Sequence, residues 1–110
     1  MYGYIYKTTD LRNGKIYIGQ KRSSKFLGEL YFGSGVIIRK IIQKCKKEKI
    51  DVTQILTVEM IDTAETKEEL DKKEIYWIDA LNSTISNLGY NISTGGNGGN
   101  LGEVVNQKIS

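Results

Sequence analysis

Tyr2-Gly3-Tyr4-Ile5-Tyr6-Lys7-Thr8 and Lys15-Ile16-Tyr17-Ile18-Gly19-Gln20 are the two runs whose reading decides the fold. Apolar residues alternate in both, and Asn13-Gly14 closes the turn between them, the sequence signal of a β-hairpin. Four of the seven tyrosines fall in these runs, so the hairpin is rich in phenols. Side chains alternate along a strand, and antiparallel partners share a face. Tyr6 and Tyr17 therefore emerge together if they pair directly or with an even offset, leaving Ile5, Ile16 and Ile18 on the other face. An odd slip breaks that match.

Working outward, the 110-residue length suits one domain with a modest core, as does an apolar content of 39%. No apolar run approaches the ~18 residues of a membrane span, so no membrane partner is expected. Met1 leads directly into the strand pattern, and no signal peptide is expected. Cys45 is the single cysteine, which excludes an intrachain disulfide and fits a reducing, cytoplasmic setting. The chain has no histidine. That removes imidazole-assisted serine or cysteine nucleophiles and any Cys/His zinc site. Acid–base chemistry is left to carboxylates, tyrosines and lysines. Charge is divided along the chain. Residues 1–50 hold twelve Lys/Arg against three acids, a net +9, and residues 51–110 hold four lysines against ten acids, a net −6. A basic half fits a one-sided surface for a polyanion, although solvated helix faces account for part of it.

After the hairpin, a loop over Lys21 to Tyr31 leads to Tyr31-Phe32-Gly33-Ser34-Gly35. Ser34 is the expected N-cap of a helix from about Val36 to Lys47, whose apolar stripe is Ile37, Ile38, Ile41, Ile42 and Cys45. Thr53 to Ile61 is β-branched and alternating, and predicts a third strand. Thr66-Lys67-Glu68-Glu69 has the capping-box pattern of a second helix that runs to about Leu81, where Asn82-Ser83 ends it. Residues 89–94 predict a short extended piece. The expectation is an α/β domain of the α+β kind over residues 1–94: a small antiparallel three-stranded sheet flanked by helices. Residues 95–110 read as a glycine-rich tail or linker.

Leu70, Trp77, Ile78 and Leu81 define the second helix's apolar stripe, while Asp71, Lys72 and Lys73 fall on its outer faces. Glu74 occupies the i+4 place on the stripe. A carboxylate there loses hydration at a cost of several kcal/mol unless something compensates. It pairs with a buried cation, binds a metal at a cleft edge, or swings to the margin and stays solvated; spacing leaves all three open.

These motifs together resemble the GIY-YIG nuclease family, in its phage- and virus-encoded, homing-endonuclease-like branch. Tyr4-Ile5-Tyr6 stands for the first motif, with Tyr4 where the family usually has glycine, and Tyr17-Ile18-Gly19 matches the second. Tyr31-Phe32-Gly33-Ser34-Gly35 looks like that branch's YxGSG turn. Glu74 matches the family's catalytic glutamate, and Asn91 in Gly89-Tyr90-Asn91-Ile92 its downstream asparagine. The resemblance spans residues 2–99. It implies a DNA endonuclease that hydrolyses phosphodiester bonds with one divalent ion, Mg²⁺ or Mn²⁺, held by Glu74. It further implies Tyr6 as general base and Tyr17 as the residue positioning water or phosphate. Nearby Lys15, Lys21 or Arg22, with the metal, are expected to lower the Tyr6 pKa from its ordinary value of ~10. The family's catalytic arginine would fall at Leu27-Gly28, so Arg22 and Arg39 are the candidates, with Arg39 preferred because a helix holds it. Tyr31 substitutes for a histidine found in many relatives. Lys15, Lys21, Lys40 and Asn91 are expected at the DNA. No DNA-reading motif is present, and a C-terminal DNA-binding module beyond the glycine-rich tail is a further expectation. The alternative is a non-catalytic DNA-binding module descended from such a nuclease.

Overall fold

The computed structural model describes residues 1–95, so most of the expected tail lies outside the described residues. The hairpin forms β1 (Gly3–Asp10) and β2 (Ile16–Arg22), and β3 (Leu56–Ala64) lies on the other side of β1 in an antiparallel sheet of order β2-β1-β3. Gly14, at φ +77°, supplies the left-handed backbone of the turn. Tyr6 faces Gly19 and Thr8 faces Tyr17, an even offset that puts both phenols on one face. Helix α1 (Val36–Glu48) and helix α2 (Lys67–Ala80) cover opposite faces of the sheet. Ile5, Ile18 and Ala64 pack on Leu70 and Ile78 of α2. On the other side, Phe32, Ile38 and Leu56 are joined by Tyr17, Ile41, Ile42 and Val58.

Several boundaries differ from the sequence expectation. β3 begins at Leu56 because Val52–Gln54 forms a 3-10 turn, started by Asp51 accepting the Thr53 N–H at 3.0 Å. A register shift between Ile5 and Tyr6 leaves Ile61 as an extra residue in β3. The N-cap of α1 is Gly35, not Ser34, and no side chain caps it. Gly35 lies so close to the Tyr17 ring that a Cβ there would clash, so the helix start abuts the phenol. At α2, Thr66 Oγ1 accepts the Glu69 N–H at 3.1 Å as the capping box requires, while Glu69 Oε1 reaches back to Glu65 N at 2.6 Å. Lys73 and Asp71 are not idle on outer faces. Lys73 Nζ donates to Thr63 O at 2.6 Å and Asp62 Oδ1 at 3.2 Å, beside a Trp77 Nε1–Asp62 hydrogen bond of 2.9 Å that fastens α2 to β3.

The segment after α2 returns to the open edge of β2. Gly89 forms a parallel bridge with Ile16, and Tyr90 N donates to Ile16 O at 2.7 Å. Asn91 then clamps one peptide stretch twice, accepting from Ile18 N at 2.8 Å and donating to Ile18 O at 2.7 Å. The Tyr90 hydroxyl donates to Asp10 Oδ2 at 2.7 Å, and Arg12 grips the same buried carboxylate with Nε and Nη2 at 3.0 and 2.9 Å.

Those bonds from Arg12, aided by Tyr90, hold the Asp10 carboxyl down at about 2, against an ordinary 3.8. A depressed folded-state pKa adds stability that is present above the unfolded value and lost as pH falls through the folded one. Asp10→Asn is therefore expected to cost ~2 kcal/mol at neutral pH. Urea midpoints of both proteins should show that gap closing as pH falls from 3.8 toward about 2.

Candidate active site

Tyr6 and Tyr17 come together because β1 and β2 carry them on one face in even register. Their ring centroids are 6.2 Å apart. Tyr31 closes the cluster, its ring edge-on to Tyr6 at 5.6 Å. Gly19, directly opposite Tyr6, is the space the phenol occupies, and a Cβ there would overlap the hydroxyl. Glycine in the second motif thus has a steric reason. Lys21 is next on that face, and its ammonium stands over the Tyr31 ring at 4.5 Å.

Glu74 lies in the opposite layer, on α2. It is 8% exposed on α2, which excludes the solvated-margin alternative. Its Oε1 accepts a hydrogen bond from Gln20 Nε2 at 2.9 Å, and its charge is felt by both Tyr6 and Tyr17. β2 is an edge strand, so a carboxylate on the α2 side can act on phenols of the α1 side.

Tyr6 is shifted opposite to the direction expected from its neighbouring cations. Burial raises Tyr6 far above its ordinary value, and the negative charges of Tyr17, Tyr31 and Glu74 add to the rise. Tyr17 is pushed up to about 12, by burial first and then by Glu74 and Tyr31, while a hydrogen bond from Tyr6 opposes. Two of the three cations expected to lower Tyr6 are engaged elsewhere. Lys15 stands 5.7 Å over the Tyr90 ring, and Arg22 donates to the Tyr2 hydroxyl at 3.2 Å. Arg39 and Lys40 are exposed on α1, and among the described residues no hydrogen bond, ion pair or ring contact joins Arg39 to the tyrosines. Asn91, expected at DNA, is 9% exposed with its amide committed to Ile18.

A cleft of about 200 Å³ opens beside Tyr17, lined also by Ser34, Gly35, Tyr90 and Asn91. A larger groove of about 430 Å³, bordered by Lys40 and floored by Ile37, Ile41 and Cys45, is mostly apolar and contains none of the clustered tyrosines. Of the clustered tyrosines only Tyr17 lines the smaller cleft. Among the described residues no group of three or more His, Cys, Asp or Glu side chains could form a metal cage. The Glu74 carboxylate is a hard, sparse oxygen donor set. It fits Mg²⁺, which keeps most of its waters and takes further oxygens from a substrate phosphate.

Gln20 and Asp10 went unrecognised in the sequence. Alternation offered a signal for Gln20, since a polar side chain follows Ile18 on the face that α2 covers. Arg12 is a local partner of Asp10, but the second partner, Tyr90, is 80 residues away and leaves no local signal.

No family model matches the chain, and no solved structure matches it. Two curated proteins of Enterobacteria phage T4 are similar to it. The chain is 36% identical over 99 residues to the protein named "Putative endonuclease segE", covering 90% of this chain and 44% of that one. It is 31% identical over 98 residues to "Endonuclease segA", covering 89% of this chain and 41% of that one. The chain therefore spans under half the length of either relative.

Proposed function

We propose that the chain is a metal-dependent DNA endonuclease domain of the GIY-YIG type, a phosphodiester hydrolase of homing-endonuclease kind. The observation that carries this reading is the pair of phenols Tyr6 and Tyr17 on one face, ring centroids 6.2 Å apart, with the buried Glu74 tied by a 2.9 Å hydrogen bond to Gln20 on the same strand as Tyr17. Similarity to two phage proteins named as endonucleases supports it. So does the basic first half of the chain, suited to a DNA backbone.

Glu74 is the residue that would hold one Mg²⁺ or Mn²⁺. When bound, the ion supplies positive charge beside the phosphate and acidifies nearby water. Burial keeps Tyr6 a neutral phenol in the resting protein, so it would act as a base only after giving its own proton to solvent; positive charge beside it would favour that phenolate, which could then take a proton from water. Tyr17 borders the cleft and orients the water or phosphate. We assign the steadying cation to Lys21, on the Tyr31 ring, in preference to Arg22 or Arg39. Lys15 and Lys40 are left for backbone contacts with DNA, and Asn91 for holding β2 beside Tyr17. A DNA-reading module belonging to the rest of a longer protein would supply sequence choice.

Supercoiled plasmid incubated with Mg²⁺, Mn²⁺ or EDTA tests the reading. Nicking with either metal and none in EDTA is the expected result. Salt-sensitive DNA binding with no cleavage under any divalent ion would instead establish the non-catalytic module.

A further inference from the structure

Gln20 has no part in the reaction as drawn above, yet it is tied to the carboxylate at its centre. It projects from β2 toward α2, and its amide nitrogen donates to two carboxylates at once, Glu74 Oε1 at 2.9 Å and Asp71 Oδ1 at 2.8 Å. An amide NH₂ has two hydrogens and is the end of the side chain that can serve two acceptors, so this orientation is fixed by its partners. Asp71 is itself anchored, its Oδ2 held by Lys67 Nζ at 2.9 Å. Asp71 and Glu74 are three residues apart and share one side of α2, where two negative charges repel. A neutral double donor between them relieves that repulsion. It also restricts Glu74, whose long side chain otherwise has several rotamers to lose on binding an ion.

We propose that Gln20 is a positioning residue that fixes the Glu74 carboxylate against β2 and thereby sets the site's affinity for its divalent ion. The inference rests on the nuclease reading and adds a residue to it. Partners that orient a metal ligand typically change metal affinity by about tenfold to a hundredfold when removed.

Gln20→Met keeps the length of the side chain and removes both donors, and Gln20→Ala serves as a second variant. Both lie at a half-buried edge position, and circular dichroism with thermal midpoints checks that they fold. The Mg²⁺ concentration for half-maximal plasmid cleavage is expected to rise about tenfold, with the rate at saturating metal recovering to within about threefold of wild type. Duplex affinity in Ca²⁺ should stay unchanged. Mn²⁺ binding to the protein–DNA complex, read by water-proton relaxation, should weaken by the same factor as the cleavage midpoint. Unchanged Mn²⁺ affinity and midpoint in both variants overturns the proposal, and so does a rate loss that excess metal fails to restore. A wild type that neither cuts nor takes up Mn²⁺ beside DNA overturns the nuclease reading and this proposal together. A wild type that does both, matched by its Gln20 variants, overturns the proposal alone.

Discussion

Glu74→Gln is expected to lower plasmid cleavage about a thousandfold, ~4 kcal/mol of barrier, while leaving the fold at least as stable as before. The two halves of that expectation come from the same observation. A carboxylate 8% exposed on an apolar seam carries a desolvation cost that a neutral amide of equal size largely avoids. Glutamine can also turn its carbonyl toward Gln20 Nε2 and keep the bond now made at 2.9 Å. What it cannot do is present a negative oxygen to a divalent ion. A thermal midpoint that holds or rises while cleavage collapses would mark Glu74 as a residue kept for chemistry at the expense of stability. A variant that cuts at the wild-type rate would remove the metal ligand from the mechanism. Circular dichroism melts beside a plasmid time course measure both.

How far the chain could be read depended on whether the deciding contacts were local. The hairpin followed from alternation and Asn13-Gly14, and the even offset of Tyr6 and Tyr17 follows once that turn sets the register. Helix α2 followed from Thr66 and Glu69, and its buried Leu70 and Ile78 from helical spacing, which left the burial of Glu74 open. Other features depended on distant partners. β-branched residues near Thr53 suggested a strand, but Asp51 could close a 3-10 turn there, and local turn chemistry won. Ser34 had the right chemistry for a cap, yet the chain approaches Tyr17 too closely at the next residue for anything but glycine. The direction of the Tyr6 shift was missed for a related reason. Nearby cations were visible in sequence, whereas the burial of Tyr6 to 1% exposure, which dominates, is a property of the assembled layers.

The edge position of β2 bears on the proposed site. An edge strand leaves backbone groups unpaired and invites association with other chains. Here residues 88–91 cover the first half of that edge, through Ile16 and the double clamp of Asn91 on Ile18. Gln20 follows, where the side chain turns to α2 and its carboxylates. The strand is thus held rigid on both sides of Gly19, the residue against which Tyr6 rests. Rigid support of this kind is what a reacting group needs if its geometry is to be set before substrate arrives.

Tyr6→Phe tests that support and the chemistry together. The ring contacts with Tyr4 at 6.2 Å, Tyr17 at 6.2 Å and Tyr31 at 5.6 Å are apolar in their greater part and survive the change. Removing the hydroxyl deletes one buried hydrogen-bonding group, a stability loss of ~1 kcal/mol. Cleavage is expected to fall about a hundredfold or more, the scale of losing a positioned base. Its pH dependence supplies the sharper distinction. A phenol raised above its ordinary pKa is almost wholly neutral near pH 7, so the fraction of phenolate grows about tenfold per pH unit below that pKa. Wild-type cleavage at saturating metal should therefore climb with pH, and the residual cleavage of Tyr6→Phe should lose that slope. If the variant retains the wild-type slope at a reduced rate, the rising limb belongs to another group and Tyr6 merely shapes the cleft. Tyr17→Phe separates the remaining candidate, because its phenol, pushed up to about 12, would give a rising limb of its own.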